Sequence, residues 1–338
     1  MKIAVIGNGG AGTVFALNLA NNGNEVVIWA QEADEVKSMQ ETHMSPWLKD
    51  VKLPDSVEYT NDPACVVGKD LVILACPSFA LREECAMIEP FLDKEGNTMI
   101  LSVVKGLEHE TMKLMSEIVT EVTGLHPAIL SGPVHTIELA NGAPTGCVVA
   151  STNSKESRSI QAALTNNILR VYTSRDAMGV EIGGTLKNVI AIITGISEGL
   201  GYGDNTKTLL MTRGMAEITK FATHFGGDAE TLSGLSGIGD LINTCTSERS
   251  RNRKLGILLG QGMSVEEAIA QIGSVAEGYY AARAVKEIAD RDKLYLPLMS
   301  AVYEVLYEDK KPIDAARALM EPRSNSEGGH SSWFLSKK

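Results

Sequence analysis

The chain opens on a short apolar run that leads directly into a glycine-rich turn. Ile3-Ala4-Val5-Ile6 has the β-branched character of a buried strand, and the turn follows as Gly7-Asn8-Gly9-Gly10-Ala11-Gly12. Beyond the turn, Val14, Leu17 and Ala20 recur at helical spacing. A strand, a glycine turn and a helix in this order predict a dinucleotide-binding site, because the helix N-terminus presents free N–H groups to phosphates.

Three glycines of the turn have separate expected roles. Gly7 permits the tight turn, Gly9 lets the backbone approach a pyrophosphate, and Gly12 lets the helix lie close to the strand. Glycines also mark ordinary turns, so a plain tight turn is the alternative that the motif alone leaves open.

A second strand, Glu25–Trp29, follows the turn signal Asn22-Gly23-Asn24 and completes a βαβ unit. Sites specific for NAD usually carry an acidic residue just after this strand, whereas sites for NADP offer an arginine. Here the strand is followed by Ala30-Gln31-Glu32. The choice between NAD and NADP therefore stays open.

Size and composition restrict the class of protein. A length of 338 residues favours about two domains, and a net charge of −11 disfavours a general role on nucleic acid or anionic membranes. The five cysteines include no CxxC pair and indicate a reducing compartment, with the cytoplasm as the default. The six histidines show no metal-ligand spacing, so no metal is expected. We also expect no signal peptide, no apolar run of membrane-spanning length and no stable membrane insertion.

Strand-like segments continue through the first half of the chain and then stop. They are Asp70–Ala75, Thr98–Val103, Ala128–Leu130, Cys147–Ala150 and Leu169–Thr173. An amphipathic helix is expected at about Glu110–Val122, and helical periodicity prevails from Asp176 to residue 320. The prediction is an α/β protein: a Rossmann-like, doubly wound, mainly parallel sheet domain (1–176), an all-helical C-terminal domain (177–325) and a mobile tail (326–338).

Two lysines are candidates for chemistry. Lys187 enters a helix rich in Val, Ile and Ala, and partial burial would lower its pKa toward the working pH of a general acid or base. The alternative is a lysine that extends to solvent from a helix end. Lys105 follows a strand and precedes Gly106, which places it either on the ligand side of the sheet or in a solvated loop.

A basic cluster occupies residues 249–254 and contains three arginines and Lys254. In so acidic a chain this cluster predicts a phosphate site, to which Ser250 and Asn252 would add directed hydrogen bonds. A solvated helix face is the alternative. Asp240, which lies upstream in a glycine-rich turn, could orient a lysine or cap the following helix.

Cys76 and His135 also flank loops on the expected ligand side. A Cys–His nucleophile pair is conceivable, but a cysteine directly after a buried strand more often serves packing, and we reject that pair.

Several motifs occur together in one order along the chain. They are Val103-Val104-Lys105-Gly106-Leu107-Glu108, Ser131-Gly132-Pro133, Gly183-Gly184-Thr185-Leu186-Lys187-Asn188-Val189-Ile190-Ala191, Gly237-Ile238-Gly239-Asp240-Leu241, Thr244-Cys245-Thr246, Ser250-Arg251-Asn252-Arg253 and Glu277-Gly278-Tyr279. With them the chain resembles the bacterial NAD(P)-dependent glycerol-3-phosphate dehydrogenases, from Lys2 to about residue 320.

The resemblance implies reversible hydride transfer between NAD(P)H and dihydroxyacetone phosphate, which supplies sn-glycerol 3-phosphate for phospholipid synthesis. It implies Lys187 as the proton donor and acceptor, with Lys105 and Asp240 as further catalytic residues. The implied substrate-binding residues are Lys105, Gly132, Val134, Asp240, Ser250, Arg251 and Asn252. The implied cofactor-binding residues are Gly7, Gly9, Gly10, Ala11, Gly12, Gln31, Lys105, Thr136, Arg251, Val275 and Glu277. A homodimer is also expected, although the sequence does not establish the oligomeric state.

The chain departs from the family pattern at three places. Gly10-Ala11 stands where Ser and an aromatic residue are usual, Val134-His135 where a hydroxyl residue and Phe are usual, and Gln31 where a basic residue is common. The loss of a hydroxyl group at Val134 removes one possible hydrogen bond to the substrate. A reductase of another small keto acid or keto phosphate (of the ketopantoate type) and a non-catalytic nucleotide-sensing protein are the competing hypotheses.

Overall fold

A computed structural model describes residues 1–48, 51–95, 98–108, 110–274 and 276–319. The expected tail (326–338) and Val275 lie outside the described residues.

One eight-stranded sheet forms the N-terminal part. Its strands are β1 (Lys2–Ile6), β2 (Glu25–Trp29), β3 (Glu58–Thr60), β4 (Leu71–Leu74), β5 (Met99–Ser102), β6 (Ala128–Ser131), β7 (Thr145–Ala150) and β8 (Leu169–Ser174). Their order across the sheet is β3-β2-β1-β4-β5-β6-β7-β8. Neighbouring strands are parallel except β6 and β7, which are antiparallel. The predicted mainly parallel, Rossmann-like sheet is confirmed.

Helices cover both faces of this sheet because its central strands are apolar on both sides. All four residues of β4 are fully buried. Ile73 belongs to the apolar cluster on one face with Ile3, whereas Leu74 belongs to the cluster on the other face with Ile6. A strand that is buried on two faces reads as a continuous apolar run, which is how the sequence marked it.

Fifteen helices are present in the part of the chain that the structure describes, apart from short 3₁₀ and π turns. The first six lie among the strands: α1 (Gly10–Asn21), α2 (Ala33–Thr42), α3 (Leu81–Ile88), α4 (Met115–Thr123), α5 (Thr136–Ala140) and α6 (Ser154–Leu164). The others follow the sheet: α7 (Ala177–Gly199), α8 (Asp204–His224), α9 (Ala229–Leu232), α10 (Asp240–Thr246), α11 (Arg251–Gly260), α12 (Val265–Ile272), α13 (Glu277–Asp292), α14 (Pro297–Tyr307) and α15 (Pro312–Leu319).

Helix α7 is the centre of the helical part, and it corrects one expectation. By length and composition its 23 residues could cross a membrane, so the expectation that no apolar run reaches that length is wrong. The most apolar stretch of this helix is entirely buried inside the protein, where it packs against α8, α10, α11 and α13. A core helix that is surrounded on all sides is apolar all round, as a membrane helix is.

Two local features were not anticipated. Strand β3 was not predicted, since three residues carry little periodic signal. The helix expected from Glu110 begins only at Met115, because Met112 adopts a positive φ of 60° and Leu107 bridges to Leu114. The side chain of Glu117 then accepts a hydrogen bond from the Leu114 N–H, which stabilises the start of α4.

Candidate active site

The glycine turn has the geometry that a dinucleotide pyrophosphate requires. Gly7 has a φ of +107°, and a Cβ there would lie 2.8 Å from the carbonyl oxygen of Ala75. A Cβ on Gly12 would lie 1.9 Å from the Gly7 oxygen, so a larger residue would push α1 off β1. A Cβ on Gly9 would meet nothing within 4 Å, and no side chain caps α1. With open space beside Gly9 and no side-chain cap on α1, the turn fits a bound pyrophosphate.

Some of the other residues predicted to bind the cofactor border this turn, and others lie away from it. A Cβ on Gly10 would lie 3.2 Å from Oγ1 of Thr136, so α5 borders the turn. Ala11 packs against the core of the sheet, and Gln31 is exposed just beyond β2. Asn8, which was not predicted as a site residue, donates a 2.6 Å hydrogen bond to the Glu35 carboxylate on α2 and joins the turn to that helix.

Three charged side chains meet where the sheet contacts the helical part. Asp240, 1% exposed, accepts a hydrogen bond from Lys187 Nζ on one carboxylate oxygen. Its other oxygen accepts from Lys105 Nζ at 2.6 Å. Lys105 Nζ also donates to the Gly132 carbonyl oxygen at 3.3 Å. The structure therefore brings together four residues that the sequence had proposed separately.

The environment of Lys187 prepares it for proton transfer. Burial, helped by the nearby charge of Lys105 and opposed by Asp240, lowers the pKa of its ammonium group to about 7. At this pKa the protonated and neutral forms of the amine are comparably populated near neutral pH. A lysine that extended to solvent from a helix end would keep its usual pKa. That alternative therefore does not describe Lys187.

Small residues allow α7 to bring Lys187 this close to the sheet. A Cβ on Gly184 would lie 2.3 Å from Oγ of Ser131 at the end of β6. A Cβ on Gly183 would lie 2.7 Å from the carbonyl oxygen of Ser236, in the π turn Leu235–Gly239 before α10. The two glycines thus set the distance between Lys187 and both the strand end and Asp240.

The basic cluster at residues 249–254 is less available for phosphate than its composition suggests. Arg253 forms two hydrogen bonds with the carboxylate of Glu198 on α7, and Arg249 pairs with Glu138 on α5. Lys254 is exposed. Two of the four cations of this cluster are thus paired with carboxylates, and neither was named as a substrate-binding residue.

The other residues of this cluster stand at the start of α11. The Ser250 hydroxyl accepts from the Arg253 N–H and caps the helix, while Arg251 is exposed at its first position. Asn252 is buried; it donates to Oδ1 of Asn188 at 3.0 Å and accepts from the Gly278 N–H at 2.9 Å. These bonds fix the amide of Asn188, a neighbour of Lys187 that was not predicted as a site residue.

Gly132 and Val134, which are predicted to bind the substrate, are closely packed against the sheet. Gly132 has a φ of +142°, and a Cβ there would lie 2.9 Å from the Cα of Cys147. The side chain of Val134 is half-buried and packs against the core of the sheet.

Glu277 joins the two parts of the protein beside the site. Its carboxylate accepts hydrogen bonds from the Ser78 N–H at 3.2 Å and from the Ser78 hydroxyl at 2.5 Å. Burial raises the pKa of Glu277, while these bonds and the charge of Arg251 lower it. Ser78 was missed as a site residue; its position just after a buried strand, in Cys76-Pro77-Ser78, was the available signal.

The rejected nucleophile pair has no reactive thiol. Burial raises the pKa of Cys76 well above its usual value, which keeps the sulfur in its less nucleophilic protonated form. Among the described residues, no group of three or more His, Cys, Asp and Glu side chains is placed to hold a metal ion.

Comparison with known proteins identifies the family. The model of the NAD-dependent glycerol-3-phosphate dehydrogenase N-terminus matches residues 2–157, and that of the C-terminus matches residues 176–317. The chain belongs to this family. It is 43% identical over 327 residues to a glycerol-3-phosphate dehydrogenase [NAD(P)+] of Moorella thermoacetica. The alignment covers 96% of this chain and 97% of the relative. The predicted family and a dehydrogenase that uses NAD or NADP are confirmed.

Solved structures agree on the architecture. A crystal structure of glycerol-3-phosphate dehydrogenase from Coxiella burnetii superposes with a TM-score of 0.90 at 37% identity and covers 95% of this chain and 99% of that one. A ketopantoate reductase from Ralstonia eutropha superposes with a TM-score of 0.62 at 17% identity and covers 94% and 100%. The second likeness reflects the fold alone, and the ketopantoate-type alternative is not favoured.

Proposed function

We propose that the protein catalyses the reversible reduction of dihydroxyacetone phosphate to sn-glycerol 3-phosphate and so supplies a precursor for phospholipid synthesis. The single observation that carries this proposal is the Lys187–Asp240–Lys105 cluster, buried at the carboxyl edge of the sheet in a member of this family. When bound, the nicotinamide of NADH or NADPH supplies the hydride to C2 of the substrate.

Lys187 is the proposed proton donor in reduction and the proton acceptor in the reverse direction. Reduction of a ketone places negative charge on its oxygen, and a nearby ammonium group stabilises that charge and then protonates it. A pKa of about 7 suits both directions, since the amine gains and loses its proton near neutral pH. Asp240 holds the ammonium group in place and, with Lys105, adjusts its pKa; these three are the proposed catalytic residues.

The substrate phosphate is proposed to bind at the start of α11. Arg251 is the exposed cation there, and Ser250 and Asn252 are its neighbours. A helix N-terminus attracts anions through its free N–H groups, which adds to the charge of the arginine. Gly132, whose carbonyl oxygen binds Lys105, and Val134 complete the proposed substrate contacts.

The proposed cofactor site centres on the glycine turn. Support comes from the open space at Gly9, the close approaches at Gly7 and Gly12, and the free N-terminus of α1. Further proposed contacts are Gly10, Ala11, Gln31, Lys105, Thr136, Arg251, Glu277 and Val275.

The proposed domain boundary lies between residues 176 and 177, and the helical domain extends to 325. The last strand ends at Ser174 and α7 begins at Ala177, which supports this division. We also propose a cytoplasmic homodimer that does not insert stably into membranes. Exposed apolar side chains at Trp47, Phe79 and Ile242 are candidates for buried contact in a dimer.

The function is tested by following oxidation of NADH and of NADPH with dihydroxyacetone phosphate, beside unphosphorylated dihydroxyacetone. We expect turnover with the phosphorylated ketone and a much lower kcat/KM without the phosphate. Equal kcat/KM values for the two ketones would contradict the proposal of a phosphorylated substrate, and the absence of turnover with either cofactor would refute the proposed activity.

A further inference from the structure

His135 precedes α5, and its ring carries a buried nitrogen without a partner. The ring makes no capping hydrogen bond to the helix. Its Nε2 atom has no hydrogen-bond partner among the described residues, although it is shielded from solvent. Buried polar atoms in folded proteins are almost always paired, so such an atom points to a partner that is not part of the protein.

The segment that carries His135 lies between the lysine cluster and the start of α11, because Gly132 accepts a hydrogen bond from Lys105 Nζ and Glu138 pairs with Arg249. The charges of Lys187 on α7 and Asp240 on α10 act on the ring of His135. It also interacts with Glu138 on its own helix and with Arg249, which immediately precedes the α11 N-terminus. A three-carbon phosphate ester that extended from Lys187 to the start of α11 would therefore lie along the segment that carries His135.

The neighbours of His135 do not compete for this place. The Val134 side chain packs into the core of the sheet, whereas Thr136 lies against Gly10 of the glycine turn. Of these three residues, His135 alone carries a buried side-chain nitrogen without a partner among the described residues. Its side chain can form a hydrogen bond, whereas the side chain of Val134 cannot.

The charge state of the ring suits a neutral hydrogen-bond donor. Burial lowers the pKa of His135; the cations Lys187 and Arg249 act in the same direction, whereas Glu138 and Asp240 oppose them. The imidazole is thus neutral at pH 7 and carries one N–H.

We propose that His135 donates a hydrogen bond from Nε2–H to the phosphate group of the substrate and so contributes to selection of the phosphorylated ketone. The ketone oxygen already has Lys187, whereas a phosphate offers several acceptor oxygens, each of which binds an N–H donor strongly. This inference rests on the proposed position of the phosphate at the start of α11.

The test compares His135→Leu with His135→Gln. Leucine removes the polar atom at similar volume, whereas the glutamine amide can place an N–H near the former Nε2. Both variants are assayed with dihydroxyacetone phosphate and with unphosphorylated dihydroxyacetone. The affinity for NADH and the urea midpoint of unfolding report whether the fold is kept.

We expect His135→Leu to raise the KM for dihydroxyacetone phosphate by about tenfold or more, as loss of a hydrogen bond to a charged group does. The kcat/KM for dihydroxyacetone should change little, and His135→Gln should recover most of the lost affinity. An unchanged KM in His135→Leu would refute the proposal. Equal losses with both ketones, or equal losses in the leucine and glutamine variants, would assign the ring a packing role instead.

Arg251→Ala separates this inference from the proposed phosphate site. If Arg251→Ala raises the KM for the phosphorylated ketone and His135→Leu does not, the site is right and the role of His135 is wrong. If His135→Leu raises that KM selectively and Arg251→Ala does not, the histidine contact is supported and the arginine assignment fails. If neither variant raises it, both assignments fail.

Discussion

At the scale of single residues, the site depends on charges that are buried close together. Two lysines share one carboxylate, and Asp240 is almost fully enclosed. Burial favours release of a proton from Lys187, the more buried lysine; the charge of Lys105 acts in the same direction, and Asp240 opposes both. The low pKa of Lys187 thus follows mainly from its burial in the protein interior.

The rate in each direction should depend oppositely on pH. Because the pKa of Lys187 is lowered to about 7, the proton needed for reduction is lost as pH rises through that value. We expect kcat for ketone reduction to fall above about pH 7 and kcat for the reverse reaction to rise. The measurement is kcat against pH in both directions; parallel profiles would contradict the role of the lysine.

Removal of the Lys187 amine should abolish most of the turnover. For Lys187→Met we expect kcat to fall by about 10²–10⁴-fold, since a general acid is lost at roughly constant side-chain length. The dissociation constant for NADH should be largely kept because the glycine turn is separate. Steady-state kinetics and fluorescence titration measure the two quantities, and full activity in this variant would remove the mechanism.

Arg251→Ala should act on substrate binding instead of on the chemical step. We expect a rise of about tenfold or more in the KM for dihydroxyacetone phosphate, because a charge-assisted contact is lost. Lys254→Ala is the matched control, since Lys254 is an exposed cation of the same helix. If the two variants raised the KM equally, the effect would be one of general charge and the assignment of Arg251 would fail.

At the scale of elements, the position of the site depends on how closely α7 and α11 cross. A Cβ on Gly195 would lie 2.1 Å from the carbonyl oxygen of Arg253, and one on Gly256 would lie 2.0 Å from that of Ile192. Backbone thus touches backbone at this crossing. The ion pair of Arg253 with Glu198 fastens the same two helices. The crossing places the N-terminus of α11 beside Asn188 and Lys187.

A methyl group at the crossing should separate the two helices. We expect Gly256→Ala to destabilise the protein by about 1–3 kcal/mol, in spite of the better helix propensity of alanine, because the neighbouring backbone cannot move aside cheaply. Urea unfolding measures the change. Gly203→Ala is the control, since a Cβ there would meet nothing within 4 Å; a similar loss in both variants would contradict the close crossing.

At the scale of the whole molecule, buried polar contacts tie the sheet to the helical part. Glu181 on α7 accepts hydrogen bonds from the N–H and hydroxyl of Ser116 on α4, at 2.8 and 2.5 Å. Glu277 binds Ser78 in the same manner, and Asp240 binds Lys105. Because these bonds lie largely out of contact with water, each joins the two parts more strongly than the same bond at the surface would.

We therefore expect the sheet and the helices to unfold together. Trp29 and Trp47 report on the sheet by fluorescence in a Trp333→Phe background, whereas far-ultraviolet circular dichroism is dominated by the helices. Coincident urea transitions by the two methods are the expected outcome. Two separate transitions would show that the contacts across the boundary contribute little.

The sequence by itself determined the elements and the identity of the chemical groups. The glycine turn, the buried strand at β4 and the apolar helix around Lys187 carry local signals, because burial on both faces or on all sides leaves a continuous apolar run. Lys105, after a strand, and Asp240, in a glycine-rich turn, were candidates from their positions, and the family motifs gave them expected roles. Strand β3 and the late start of α4 were missed, since short strands and a positive φ at Met112 leave little periodic trace.

Only the tertiary structure decided which of these groups meet and which are already paired. Arg253 and Arg249 look equivalent to Arg251 along the chain, yet carboxylates on α7 and α5 bind them. The unpaired nitrogen of His135 became visible only once its surroundings were known. Local patterns set the conformation of a segment, but charge pairing and desolvation depend on neighbours that are distant in sequence, and these are fixed only when the chain is folded.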